Sequence, residues 1–329
     1  MAQNQKRAAK QQTRAQRRAA EEAAARVAAE KAEKERRQQT IIGIIAVAIV
    51  VVLVAVGGFA IWRSVSKTAE ENAKANMSIS DAYSAVQKAS TKPERADEKG
   101  GILLSKDGYG KSVDGAPTIG IYMDFICPGC GQVNRELDPT LIKMVNAGQI
   151  NLELHFLSFM DSYSTDDYSS RAANSALYIA DHDDDPDHLL TYVSNLYAED
   201  FQPEEGTQNY QSVSDDKLKE QAVKAGVSQA VADKAYGRDY QDWLDAMNVY
   251  TPKRTELQHS SGTYQGQFTT PTITINGTRW DTTQLSTAKM GITDGFAAAI
   301  GLDSSKIGTE GTLPSIGSSD KPISLTTGE

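Results

Sequence analysis

Cys127 and Cys130 are the only cysteines in this 329-residue chain, and they stand as Cys127-Pro128-Gly129-Cys130 between an apolar run and a helical pattern. Two thiols can build neither a disulfide network nor an all-thiolate metal cage, so the pair reads as a redox dithiol that opens and closes. A thiolate at a helix start is stabilised by free backbone N–H groups and by the aligned peptide dipoles. Pro128 suits the first helical position because its missing N–H is not needed there and its φ is preset, which leaves the amides of Gly129 and Cys130 to face the Cys127 sulfur. Two intervening residues on a helical turn bring the second sulfur into disulfide range. Cys127 is therefore the expected nucleophile, and Cys130, on the inward stripe of the helix, the less accessible resolving partner. The rival reading of C-x-x-C is half a zinc site, which needs two more ligands near by; no metal site is expected.

The elements that hold this pair can be read around it. Residues 118–126 are almost continuously apolar, and the run is short and soon followed by a proline, the pattern of a central strand covered on both faces. Cys130, Val133, Leu137, Leu141 and Met144 follow at intervals of three and four, the inward stripe of a helix that Pro139 should kink. Residues 150–156 alternate as a second strand. Ile273 and Ile275 alternate again, and Asn276-Gly277 supplies the positive-φ pair of a tight hairpin returning through 278–280. Between these strands, 169–180, 188–198, 215–225 and 228–247 have helical periodicity, with Ser214 as an N-cap and Gly226 as a stop.

Several other residues read as structure. His155 is expected packed beneath the helical block. Asp181, Asp183, Asp185 and Asp187 alternate as calcium ligands do, but Pro186 stands where the loop needs glycine and Tyr192 where it needs glutamate, so an acidic loop is expected. Asn76-Met77-Ser78 and Asn276-Gly277-Thr278 match glycosylation acceptors, the second being better explained as the hairpin turn.

Residues 41–62 carry no charge and as a helix would reach roughly 33 Å, enough to span a bilayer core of about 30 Å. The preceding 1–40 holds eleven Lys or Arg against five Glu, whereas the rest of the chain holds 23 basic and 38 acidic residues. Positive flanks stay in the cytoplasm, so 1–40 is expected there as a basic tail, 41–62 as an uncleaved transmembrane helix in the lipid bilayer, and the dithiol outside. The acidic outer part argues against nucleic-acid partners. Residues 63–99 look like a polar stalk, partly helical near 80–89. A single domain should cover 100–302 and a flexible tail 303–329.

The motifs together resemble a known group. Asp124-Phe125-Ile126-Cys127-Pro128-Gly129-Cys130 is similar to the D-[FY]-x-C-P-x-C box of membrane-anchored DsbA-like members of the thioredoxin superfamily. Thr269-Thr270-Pro271-Thr272 with Asn276-Gly277 resembles that group's cis-proline strand and turn, and 165–260 sits where the group inserts a helical subdomain. Tyr168-Ser169-Ser170-Arg171-Ala172-Ala173-Asn174 is similar to actinobacterial members. The resemblance covers about 100–300 and implies an α/β thioredoxin-like fold with that helical insertion, preceded by one N-terminal transmembrane helix. It further implies a cis Pro271 that exposes the Thr270 backbone beside Cys127 to an extended substrate chain. It implies oxidation of cysteine pairs in exported proteins, no cofactor beyond the Cys127–Cys130 disulfide, and re-oxidation by a quinone-linked membrane partner, DsbB-like or vitamin K epoxide reductase-like. Strongly oxidising members often carry His where this chain has Gly129, which points to a less oxidising potential and keeps a reductase or isomerase as the alternative. A copper-delivery protein is a third reading. Many relatives carry an acid six positions before the first cysteine; that position is Ile121 here, and Asp124 is the candidate for proton transfer beside its plain reading as a strand-end carboxylate.

Overall fold

The computed structural model describes residues 69–206 and 210–326. The basic tail, the span expected at 41–62 and the first part of the expected stalk lie outside the described residues. Among the described residues no helix is long and apolar enough to cross a membrane.

Two helices lead in, α1 (Ala69–Asn76) and α2 (Ile79–Lys88), followed by strands β1 (Ile102–Ser105), β2 (Gly108–Tyr109) and β3 (Thr118–Asp124). Helix α3 (Pro128–Asn146) and strand β4 (Asn151–Leu157) complete a β-α-β unit. A helical block comes next: α4 (Tyr168–His182), α5 (Pro186–Leu196), α6 (Asp215–Lys224), α7 (Gln229–Ala232) and α8 (Gln241–Tyr250). Strands β5 (Thr272–Ile275) and β6 (Thr278–Arg279) and helices α9 (Gln284–Ala288) and α10 (Ile292–Ala299) close the domain.

The six strands form one sheet in the order β2-β1-β4-β3-β5-β6. The apolar β3 is central, as its sequence requires, because a strand buried on both faces must have neighbours on both sides. It runs parallel to β4, from Thr118 opposite Asn151 to Asp124 opposite Leu157, and antiparallel to β5, from Ile119 opposite Ile275 to Tyr122 opposite Thr272. The stripe of α3 is buried from Cys130 through Met144, and the helix runs on through Pro139 without interruption. At the β5–β6 turn Asn276 and Gly277 have φ of 49° and 74°, the left-handed pair a two-residue hairpin needs. Asn276 also bonds outward: its Oδ1 accepts from Thr118 N at 2.9 Å, which ties the turn to the start of β3.

Three expectations are corrected. The stalk does not extend to residue 99: α2 buries Ala82 and Val86 and packs against α8, with the Tyr83 and Tyr250 rings 5.3 Å apart. The backbone N–H groups of Glu94 and Arg95 donate to the Asp181 carboxylate, and Arg95 Nη1 donates to the carbonyls of Ala180 and Asp183 at the end of α4. Two apolar residues four apart cannot make a core, but they can dock on an existing one, and a guanidinium suits a helix C-terminus. The segment expected as one helix over 228–247 is split into α7 and α8. Tyr240 N donates to Asn174 Oδ1 and Arg238, at φ 56°, reaches the Asp167 carboxylate, so tertiary bonds override the helical periodicity. The stretch 303–326 is laid down on the domain instead of hanging free. Gln149 Nε2 donates to the carbonyls of Lys306, Thr309 and Thr312, Gln149 Oε1 accepts from Gly308 N, and Ile316 is buried.

Gln149 is fully buried, so Gln149→Ala removes four bonds and leaves carbonyls without partners. A loss of about 2–3 kcal/mol is expected. Denaturant unfolding of the full chain, with earlier proteolytic clipping after residue 303, checks it.

Candidate active site

The site begins where β3 ends. Asp124, the last residue of that strand, is followed by a tight turn in which Cys127 N donates to Asp124 O at 3.0 Å. Cys127 is the N-cap of α3, with Pro128 in the first turn, and its Sγ accepts from Cys130 N at 3.4 Å. Both thiols are free. Across from them the Thr270–Pro271 peptide is cis, and the Cys127 thiol donates to Thr270 O at 3.5 Å. The sequence places Cys127, Pro128, Gly129 and Cys130 on one turn; folding brings Thr270 and Pro271 to it from 143 residues away.

Accessibility departs from expectation, since Cys127 and Cys130 are both 0% exposed. What separates them is their surroundings. Cys127 faces the carbonyl of the cis-proline loop, whereas Cys130 is held among buried groups. Burial pushes the Cys130 thiol well above its usual range, and the neighbouring Cys127 and the charge of Asp124 add to that rise. Tyr197 is buried close to both sulfurs and to Asp124, which also raise its phenol, and its ring stacks on Phe125 at 5.2 Å.

Asp124 is completely buried. Its Oδ1 accepts from the Ser169 hydroxyl and from Ile126 N, and its Oδ2 from Met160 N at 3.0 Å. Loss of solvent pushes its carboxyl up to about 7, against the pull of those three donors. A strand-end carboxylate thus becomes a group that titrates near neutrality beside a high-pKa thiol.

Gln202 was not foreseen. Its Nε2 donates to the carbonyls of Phe125 and Cys127 at 3.1 and 3.0 Å, while its Oε1 accepts from Arg135 Nη1, which also donates to Tyr197 O. A loop of the helical block is thereby clipped to the dithiol turn. Gly131 makes room for it: a Cβ there would stand 1.9 Å from Gln202 Oε1. No local signal marks Gln202, a lone amide in a loop. Ser169 belongs to the 168–174 stretch that resembles actinobacterial members, but only the fold brings its hydroxyl to Asp124. Removing the clip with Gln202→Ala should raise the alkylation rate of the reduced thiols by about threefold to tenfold, because it lowers the cost of local opening. Timed iodoacetamide labelling read by mass spectrometry checks this, and an unchanged rate would rule the clip out as a barrier.

His155 stacks on Tyr122 at 3.9 Å and its Nε2 lies 2.6 Å from Glu153 Oε1. Asp181 and Asp183 are engaged by Glu94, Arg95, Tyr240 and His188, and Asp185 caps α5. Among the described residues no group of three or more His, Cys, Asp or Glu converges to hold a metal ion.

A stretch of 106 residues is 33% identical to the serine/threonine-protein kinase PknE of Mycobacterium tuberculosis, covering 32% of this chain and only 19% of the kinase. Among solved structures, the reduced DsbA of Mycobacterium tuberculosis matches with a TM-score of 0.45 and 25% identity over 58% of this chain and 90% of that one. MdbA, a thiol-disulfide oxidoreductase from Corynebacterium matruchotii, matches with a TM-score of 0.44 and 20% identity over 62% and 95%. The family model described as thioredoxin matches residues 110–293, from the hairpin before β3 into α10 and across the whole dithiol site, which is more than half of the sequence; the chain belongs to the thioredoxin family.

Proposed function

We propose that this protein exchanges thiols for disulfides with cysteine-containing polypeptides, working as an oxidase of exported proteins. The observation that carries the reading is the Cys127 thiol at the start of α3, 3.5 Å from the carbonyl of Thr270 beside cis-Pro271. A reactive sulfur next to a backbone able to pair with an extended chain is what a mixed disulfide with a polypeptide needs.

In the oxidised protein a substrate thiolate attacks Cys127 Sγ, the Cys127–Cys130 bond breaks, and the electron pair leaves on Cys130. That thiolate is a poor leaving group in its buried setting, so Asp124, protonated below about pH 7, supplies the proton. The second substrate thiolate then attacks the substrate sulfur of the mixed disulfide and releases Cys127. Two electrons and two protons pass from the substrate dithiol to the protein dithiol, and the substrate keeps the disulfide.

The same proposal covers place and partners. Residues 41–62 anchor the chain with 1–40 in the cytoplasm and the dithiol outside, and a quinone-linked membrane partner takes the two electrons back. The Cys127–Cys130 disulfide is the redox group. The test uses the full chain in detergent, with its disulfide formed and a reduced dithiol peptide as substrate. One peptide disulfide per protein disulfide consumed supports the reading; no oxidation by protein whose disulfide is intact ends it. Protease shaving of intact cells that spares the thioredoxin domain would overturn the topology.

A further inference from the structure

The groove beside the cis-proline loop carries a charge that the exchange chemistry does not use. Val133, Pro271, Ile273 and Ile292 make much of its lining, and Arg279 and His259 also line it. Arg279 is half-buried, and its Nε is sealed from solvent without a hydrogen-bond partner. Its Nη2 lies 3.1 and 3.0 Å from the two ring nitrogens of His259, whose Nε2 is also 2.9 Å from Thr269 Oγ1. Burial and that guanidinium hold His259 down at about 4, so at neutral pH the imidazole is uncharged and cannot balance the arginine.

Among the described residues no carboxylate lies within ion-pair distance of Arg279. Asp281 reaches it only through its field, since Asp281 Oδ1 is held by the N–H and hydroxyl of Thr283. Thr270 Oγ1, also on the groove wall, is buried and without a partner. A guanidinium part-way out of water with no counter-ion is costly to keep, and an incoming carboxylate offsets that cost through charge-assisted hydrogen bonds. The groove includes Gly129 of the dithiol turn and Thr270, whose carbonyl meets Cys127 Sγ. A polypeptide joined to Cys127 therefore passes this wall.

We propose that Arg279, with the Thr270 hydroxyl as a second donor, forms a carboxylate-binding subsite that favours client segments carrying an acidic group close to the reacting cysteine. This rests on the exchange reading above and adds a substrate class to it. An Asp or Glu side chain and a chain-terminal carboxylate offer the same chemistry.

The test uses the full chain in detergent with its disulfide formed. Reduced dithiol peptides differ in one residue near the cysteine, Glu or its isostere Gln at each position in turn, and a second set differs in a free or amidated C-terminus. At one or two positions the wild type should oxidise the Glu peptide about fivefold to tenfold faster than the Gln peptide at low salt, the range expected for one charge-assisted contact. The advantage should shrink as salt screens it and fall to near unity in Arg279→Met. An advantage confined to the free C-terminus assigns the subsite to chain ends. Equal Glu and Gln rates at every position together with no C-terminal effect overturn the subsite while leaving the exchange reading standing. Failure to oxidise any peptide, Gln included, overturns the exchange reading itself. The wild-type ratios and their salt dependence decide the matter even if Arg279→Met does not fold.

Discussion

Cys127→Ser should abolish disulfide transfer, lowering the exchange rate by on the order of a thousandfold or more, because an alcohol neither attacks a disulfide nor holds one. Stability should change little, since serine can accept the same N–H from Cys130 that the sulfur accepts at 3.4 Å. Cys130→Ala should behave differently. Cys127 keeps its place at the start of α3 and still attacks an oxidised partner, but no second thiol remains to resolve the product. A mixed disulfide therefore accumulates, visible on non-reducing gels and reversed by reductant. If Cys127→Ser retained measurable exchange, or if Cys130→Ala formed no adduct with an oxidised peptide while Cys127 could still be alkylated, the assignment of nucleophile and resolving thiol would be wrong.

The second large effect belongs to Asp124. Its carboxyl is raised to about 7 from an ordinary value of 3.8 because burial penalises the charged form. Such a group favours the folded state while protonated, so its stabilisation is complete below about pH 4 and is lost as pH rises through about 7. Between pH 5 and pH 8 the wild type should lose roughly 2–3 kcal/mol through this residue. Asp124→Asn removes that slope while keeping most of the bonds, because the amide oxygen can accept from Met160 N and the NH2 can donate to the Ser169 hydroxyl, at the cost of the long bond from Ile126 N. Asp138 is also raised to about 7 by burial, so wild type and variant must be compared at each pH by denaturant titration; parallel curves would contradict the buried-acid account. Catalysis carries a second readout. With its proton donor gone, departure of Cys130 should slow by about a hundredfold, the lower end of what a positioned acid supplies. The inflection near pH 7 in the single-turnover rate should disappear.

Much of the frame was legible before folding was considered. The nearly continuous apolar run over 118–126 specifies β3 as a central strand, the three-and-four spacing from Cys130 to Met144 specifies α3, and Asn276-Gly277 specifies the hairpin, because each is set by local sterics and one-dimensional burial patterns. Strands β1 and β2 were missed, since Ile102-Leu103-Leu104 is too short a run to tell strand from loop. The segments 79–99 and 303–326 look free in composition and are docked in the fold. Their few apolar residues and open backbone groups bind surfaces that exist only once the domain has formed.

The sequence by itself determined the chemistry: one pair of thiols, their separation, the proline that starts the helix, and a strand that delivers them to its mouth. These are properties of neighbours along the chain, which covalent geometry keeps together in any fold. Tertiary structure alone decided what surrounds the sulfurs. It brought Thr270 and Pro271 to Cys127, closed Gln202 over the turn, buried both thiols, raised Asp124 toward neutrality and left Arg279, among the described residues, without a carboxylate at ion-pair distance. Each of these depends on solvent being excluded by residues far apart in sequence, and desolvation is a property of the packed molecule that no local pattern encodes.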